Sequence, residues 1–302
     1  MARRSLLLSL AASVFLAVTL IALVVAAIVA LRDGGGSALG LGGGRIAVLE
    51  VDGLISDDRK ILEDIARFRK DGSVRGYVVS INSPGGVVGP AQSIYEELRR
   101  LRREGKPVVA SIGGTGASGG YYVALAADTI YALPGSMTGS IGVIMEMPDA
   151  SVLMKKVGIG WNVVKSAEHK DIGSPFRPMT PGDRAVLDSL VSDVYGQFVE
   201  TVQRERHLPA ERVRSLADGR VLSGRQALQG GLIDRTGNLR DALATAGRMA
   251  GLGSDPRVVR PPRERFSLLD LFLGRGTDEG LAGWVRPLER AATPRLEFAV
   301  PW

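Results

Sequence analysis

The spacing of apolar residues changes character several times along the chain. Ser5–Leu31 is a run of 27 residues without a charge, bounded by Arg3 and Arg4 on one side and Arg32 and Asp33 on the other. A helix crosses a bilayer with about 20 apolar residues, whereas the apolar region of a cleaved signal peptide is about 7 to 15 residues long. The run therefore predicts a retained, tilted transmembrane anchor over residues 5–31. Arg3 and Arg4 place residues 1–4 in the cytoplasm and the rest of the chain outside, with Arg32 on the far side weighing against that orientation. Asp33–Gly44 carries seven glycines, and residues 32–45 read as a flexible linker.

From Arg45 the pattern alternates between strand and helix. Ile46–Val51, Gly76–Ile81, Pro107–Ile112 and Thr129–Ala132 are short runs rich in β-branched or otherwise apolar residues. Trp161–Val164 is also strand-like. Lys60–Lys70, Pro90–Arg103, Tyr121–Ala127, Pro181–Arg206 and Asn238–Ala250 read as helices. Strands that are continuously apolar and alternate with helices predict an α/β domain over residues 46–250, a parallel sheet flanked by helices. After Gly251 the texture changes again. Ser254–Arg265 is rich in Pro and Arg and looks extended, Ser267–Leu273 is a short apolar patch, and residues 251–302 form a C-terminal extension.

Composition narrows the chemistry. The net charge is +6 with a pI of about 9.8, yet the arginines are interspersed with acids and form no basic block, so nucleic acid is not an expected partner. Cysteine is absent, which removes disulfides, zinc–thiolate sites and a thiol nucleophile. Two histidines leave little for a multi-histidine metal site. No cofactor is expected, and no Walker sequence points to ATP.

Two glycine-rich turns follow predicted strands, Ser83–Gly86 and Gly113–Gly120. That is where ligands bind in open α/β sheets. Ser118 stands in the second turn, flanked by Gly116, Gly119 and Gly120, at a predicted strand-to-helix transition. Small neighbours let the backbone turn sharply, and the N–H groups that open the next helix favour a developing oxyanion. Gly116–Gly120 also fits G-x-S-x-G, the nucleophile elbow of α/β-hydrolases. That mechanism needs a late histidine, and 95 residues follow His207 with none, while His169 lies only 51 residues after the serine. The other way to activate a serine is a lysine amine made neutral by burial. Lys170 is a candidate, with Glu168 and Asp171 beside it.

In order, Asn82–Gly86, Gly105–Val108, Ala117–Tyr121, Thr138–Gly142, Lys170–Gly173 and Gly219–Asp234 resemble the signal peptide peptidase A family of serine peptidases. The resemblance covers residues 46–250 and is closest to the short, single-domain, membrane-anchored members. It implies a ClpP/crotonase-like fold and peptide-bond hydrolysis by a Ser–Lys dyad, with Ser118 as nucleophile and Lys170 as base. It further implies Ser140 as the hydroxyl that orients the lysine, and the N–H groups of Gly86 and Ser118 as the oxyanion hole. Dome-shaped homo-oligomers that share active sites between subunits, and remnant signal peptides as substrates, are implied in the same way. So is a catalytic domain on the outer side of the cytoplasmic membrane. The residues after Ala250 match no family motif. They read as a loosely ordered tail, with Leu296–Trp302 also able to reach a substrate groove.

Two other readings stay open at this point. A member of the same broad fold could act on acyl thioesters or bind without catalysis, using the Gly86 turn for a thioester carbonyl. A peptidase could instead be specific for one partner membrane protein.

Overall fold

The computed structural model describes residues 16–21, 43–262 and 297–298. Residues 16–21 are helical. The rest of the predicted anchor, and the apolar patch Ser267–Leu273, lie outside the described residues. Among the described residues no helix is long and apolar enough to cross a membrane. The chain divides into two compact units, Met1–Gly44 and Arg45–Trp302.

The second unit is an α/β domain. It opens with β1 (Arg45–Asp52), α1 (Arg59–Lys70), β2 (Val74–Ser83), the two-residue β3 (Gly86–Val87) and α2 (Val88–Arg103). β4 (Val108–Ala117) runs into α3 (Gly119–Ala124), and β5 (Thr129–Ala132) and β6 (Met137–Gly139) follow. A less regular segment holds α4 (Ser151–Lys156) and a 3-10 turn (Glu168–Asp171). Then come α5 (Pro181–Arg206), α6 (Ala210–Leu216), β7 (Val221–Ser223), α7 (Gly224–Gly230), β8 (Arg235–Thr236), α8 (Leu239–Met249), β9 (Arg257–Val259) and β10 (Glu297–Phe298).

The eight-stranded sheet runs β7-β6-β4-β2-β1-β9, with β5 beside β4 and β8 beside β5. Every pairing in it is parallel except β6 with β7. β4 is long enough to hold two neighbours on one edge, β5 along Val109–Ile112 and β6 along Thr115–Ala117.

The strands are apolar on both faces because both faces are covered. Side chains alternate across a strand, and the burial follows. Ala47, Leu49, Tyr77, Val79, Val108 and Ala110 pack into the larger core cluster. Ile46, Val48, Val78 and Val109 pack on the opposite face, with Ala242 and Ala246 of α8. α1 turns Ile61, Ile65 and Phe68 inward, and α2 turns Ala91, Ile94, Tyr95, Leu98 and Leu101 inward, the spacing of one helical stripe. α5 begins at a capping box, Thr180 with Asp183, and has Pro181 in its first turn.

Two expectations change. α3 starts two residues before the predicted Tyr121, because Gly119 and Gly120 are helical; a Cβ on Gly120 would lie 2.7 Å from the Ser83 carbonyl oxygen. Trp161–Val164 is not a strand but an irregular, exposed stretch. Among the described residues no strand pairs with it, and an apolar run alone does not distinguish a core strand from an uncovered surface.

Candidate active site

The C-terminal ends of β2 and β4 bring the two glycine turns together. Ser83 pairs with Gly116, the Asn82 side-chain carbonyl accepts from the Thr115 N–H at 3.2 Å, and Gly120 abuts Ser83. Gly85 and Gly86 take φ of 112° and 152°. A Cβ on Gly86 would lie 2.2 Å from the Ile55 carbonyl oxygen, so only glycine fits that close approach.

Ser118 sits between the last residue of β4 and the first of α3, at φ 51° and ψ −116°. That conformation is strained for a residue with a side chain. Ser118 is fully buried, and its Oγ has no hydrogen-bond partner among the described residues. Its carbonyl accepts the Tyr122 N–H at 2.8 Å, the first bond of the helix.

One oxyanion expectation is corrected here. The Ser118 N–H donates to the Gly139 carbonyl at 2.8 Å, so it is spent on the sheet. The next N–H, that of Gly119, belongs to the first turn of α3, whose donors have no acceptor within the helix. It is the donor the turn leaves beside Ser118. A sequence signal existed, since the residue after a nucleophile elbow opens the following helix.

Ser140 follows Gly139, so it lies beside Ser118 across the β4–β6 pairing. It is buried, takes φ 49°, and donates its N–H to the Arg220 carbonyl at 2.9 Å. Ser140 lines a cavity of about 410 Å³ with Ile141, Val143, Val191 and Tyr195.

Lys170 is elsewhere. It is exposed, on the 3-10 turn Glu168–Asp171, and its amine makes no hydrogen bond or ion pair with any described residue. The structure does not bring it into contact with Ser118. Its acidic neighbour is otherwise engaged. Asp171 accepts from Arg177 Nε at 2.9 Å and Nη2 at 2.8 Å, and from Lys165 Nζ at 2.7 Å. Hydrogen bonds from Arg177, then from Lys165, hold the Asp171 carboxyl well below the usual range. Arg177 also donates to Asp183 at 2.5 Å, and His169 Nδ1 lies 3.1 Å from the other Asp183 oxygen. Arg177 and then His169 hold the Asp183 carboxyl down in the same way. His169 thus belongs to the clasp at the start of α5 and not to Ser118, while His207 is exposed at the other end of that helix.

Around Lys170 the surface is unusually apolar. Val152, Leu153, Val157, Ile159, Trp161, Val163 and Val164 are exposed before it, and Val186 and Leu190 after it. Trp161 packs on Phe176, with ring centroids 4.3 Å apart.

The domain model of peptidase family S49 matches residues 100–253, about half the chain. A protein of Synechocystis sp. that bears the name of a protease is 42% identical over 70% of this chain and 76% of its own. A protein of Enterococcus faecium named as a signal peptide peptidase SppA is 32% identical over 76% of this chain and 70% of its own. Protease 4 of Haemophilus influenzae is 32% identical over 80% of this chain and 42% of its own. The chain therefore belongs to peptidase family S49, the signal peptide peptidase A family of serine peptidases.

Proposed function

We infer that this peptidase cleaves peptide bonds with Ser118 as nucleophile and with Lys170 of a neighbouring copy as general base. The state of Ser118 carries the reading: a buried serine on a strained turn, its Oγ unpartnered, in a chain whose candidate base stands exposed. A copy docked through the apolar surface around Lys170 would bury the amine. Burial favours the neutral form that a base requires.

In this scheme the neutral amine takes the proton from Ser118 Oγ as it attacks the scissile carbonyl. Ser140, one residue past the Ser118–Gly139 bond, would hold the amine on line. Negative charge on the carbonyl oxygen falls to the N–H groups of Gly86 and Gly119; one such donor is worth about 3 to 4 kcal/mol. The ammonium then protonates the leaving amine, and water, deprotonated by the same lysine, frees the acyl-enzyme.

The strand order and the two glycine turns suit a ClpP/crotonase-like fold. Residues 5–31 would anchor the chain in the cytoplasmic membrane with residues 46–250 outside. The substrates proposed are remnant signal peptides or other unfolded membrane-associated peptides. The apolar lining beside Ser140 suits an apolar or small side chain next to the scissile bond.

The test follows cleavage of a quenched apolar peptide by the detergent-solubilised chain, each variant checked for folding and oligomer size. Ser118→Ala and Lys170→Ala should each lose roughly 10³-fold or more in turnover, and His169→Ala should remain active. An active Lys170→Ala beside a dead His169→Ala would replace the dyad with a serine–histidine mechanism. A folded, oligomeric parent that cuts no peptide would turn the search to thioesters.

A further inference from the structure

The two ends of the sheet carry opposite charge. β1, β2, β4 and β9 run parallel, so their first residues share one end and their last residues the other. At the carboxyl end, where Ser118 lies, residues 50–64 lead from β1 into α1 with six acids and two basic residues. The amino end is the reverse. Residues 67–75, from the end of α1 into β2, hold four basic residues and one acid, and residues 99–107, from the end of α2 to the start of β4, hold five and one.

Part of this charge has a local use. A cation at a helix C-terminus meets the negative end of the macrodipole. Arg69 pairs with Glu104, Arg102 with Asp128, and Arg45 with Asp71. Four cations are left over. The charged groups of Lys70, Arg75, Lys106 and Arg257 make no ion pair or hydrogen bond with any described residue. Helix dipoles do not account for Arg75, Lys106 and Arg257, which stand outside helices at the starts of strands. Arg257 lies opposite Arg45 in the β1–β9 ladder, and Arg75 follows Val74, the partner of Arg45 on the other side. Lys106 adds an ammonium 5.8 Å from the centre of the Tyr77 ring. Like charges gathered in this way repel one another in the folded domain, and an anionic surface relieves that repulsion.

The chain also says which surface. It enters the domain at this end, at Arg45, and only residues 32–44 lie between Arg45 and Leu31, the last residue of the anchor proposed above. A glycine-rich tether of that length has an r.m.s. reach of about 20 Å, so a bilayer that holds the anchor is within reach of the amino end. We propose that the amino end of the sheet is a docking face for anionic lipid headgroups, contacted by Lys70, Arg75, Lys106 and Arg257. The face acts in addition to the anchor and sets orientation. Ser118, at the opposite and acidic end, is then turned away from the headgroups, and a peptide must leave the bilayer to reach it.

The proposal rests on the anchor only for delivery, and the test reads the two separately. The chain has no cysteine, so one introduced thiol carries a fluorophore at a single place. Gly72→Cys puts it at the amino end and Gly89→Cys at the other end of α2; a Cβ at either position meets nothing within 4 Å. The full chain is placed in bilayer discs of phosphatidylcholine, or of phosphatidylcholine with phosphatidylglycerol, each doped with a lipid spin-labelled on its headgroup. The Gly72→Cys probe should be quenched several-fold more in the anionic discs, and about 0.5 M salt should relieve it. The Gly89→Cys probe should stay bright in both. Each cation near the surface is worth roughly fivefold in headgroup affinity, so changing all four to Gln should abolish the quenching with the melting temperature unchanged. Exchanging Lys for Arg and Arg for Lys at the four positions should keep it. Co-elution of chain and discs at about 0.5 M salt reports the anchor, since apolar insertion is not screened. A chain that co-elutes while the Gly72→Cys probe is equally quenched in both lipids, is quenched in neither, or matches Gly89→Cys would overturn the docking face and keep the anchor. A chain that holds only anionic discs, and only at low salt, would keep the face and overturn the anchor. A chain that associates with no disc overturns both.

Discussion

The Ser118 N–H donates to the Gly139 carbonyl at 2.8 Å, and this bond fixes where Ser118 sits. It continues the ladder in which Gly116 pairs with Thr138 and Ala117 with Gly139. At Ser118 the backbone leaves the strand, at φ 51°, and the side chain stays at the sheet's carboxyl end beside Ser140. The Thr138 hydroxyl donates to the Gly116 carbonyl at 2.7 Å and stiffens the same ladder. The Ser118 N–H thus holds the turn in place, and the oxyanion role proposed for this turn falls to the Gly119 N–H.

A close approach that admits only glycine gives a sharp contrast between neighbouring sites. Gly86→Ala would force a Cβ to 2.2 Å from the Ile55 carbonyl oxygen, against backbone that cannot swing away. β3 must shift, and the Gly86 N–H leaves the place proposed for it in the oxyanion hole. The expected loss is on the order of 10²-fold in kcat/KM. Gly89→Ala, three residues on in α2, meets nothing within 4 Å and should leave kcat/KM unchanged while raising stability by about 0.5 to 1 kcal/mol. Thermal melts and steady-state kinetics on the two variants check both.

Much of the site's local chemistry was legible because it is local. A serine between glycines after an apolar run marks a strand-to-helix turn, and Ser118 stands at one. Long-range pairing was not legible. The register that spends the Ser118 N–H on Gly139 joins residues 21 apart in sequence (139 − 118), and nothing near either residue announces it. The pairing of β10 with β3 joins residues about 210 apart. Trp161–Val164 failed for a third reason. Its pattern satisfies a buried strand, but among the described residues no strand pairs with it, and pattern records only that covering is wanted.

The proposed sharing of sites between subunits is tested by mixing two inactive variants. Ser118→Ala and Lys170→Ala should each be inactive alone. Co-assembled in equal amounts, a site that takes its serine from one subunit and its lysine from the next is intact about one time in four in a closed ring. Recovery of about a quarter of parental activity is therefore expected after co-expression. Sites built within single subunits would recover nothing.

The exposed apolar surface before Lys170 should be an assembly contact. Trp161 is more than half exposed, and Val164 is fully so; patches of this kind on a folded domain mark interaction sites. Trp161→Asp should therefore shift the protein toward monomer in light scattering, leave its thermal unfolding nearly unchanged, and abolish peptide cleavage. A variant that keeps both its oligomer size and its activity would remove this surface from the interface.

The clasp of Arg177 on Asp171 sets a pH prediction. The depressed Asp171 carboxyl contributes stability above its unfolded value of about 3.9, and that stability is lost as pH falls through this value toward the folded one. Around neutrality the carboxylate is ionised whether or not Arg177 is present. Arg177→Ala therefore does not protonate Asp171; it leaves the carboxylate, next to Lys170 in sequence, with Lys165 in place of two cations. A nearby carboxylate favours the ammonium form of an amine, and a general base must be neutral. The rising limb of kcat/KM against pH should move to higher pH in Arg177→Ala. The double variant Arg177→Ala/Asp171→Asn removes that charge and should return the limb to its parental position. A limb that stays put in Arg177→Ala while kcat falls would mean that Arg177 only folds the turn and has no electrostatic hold on the base.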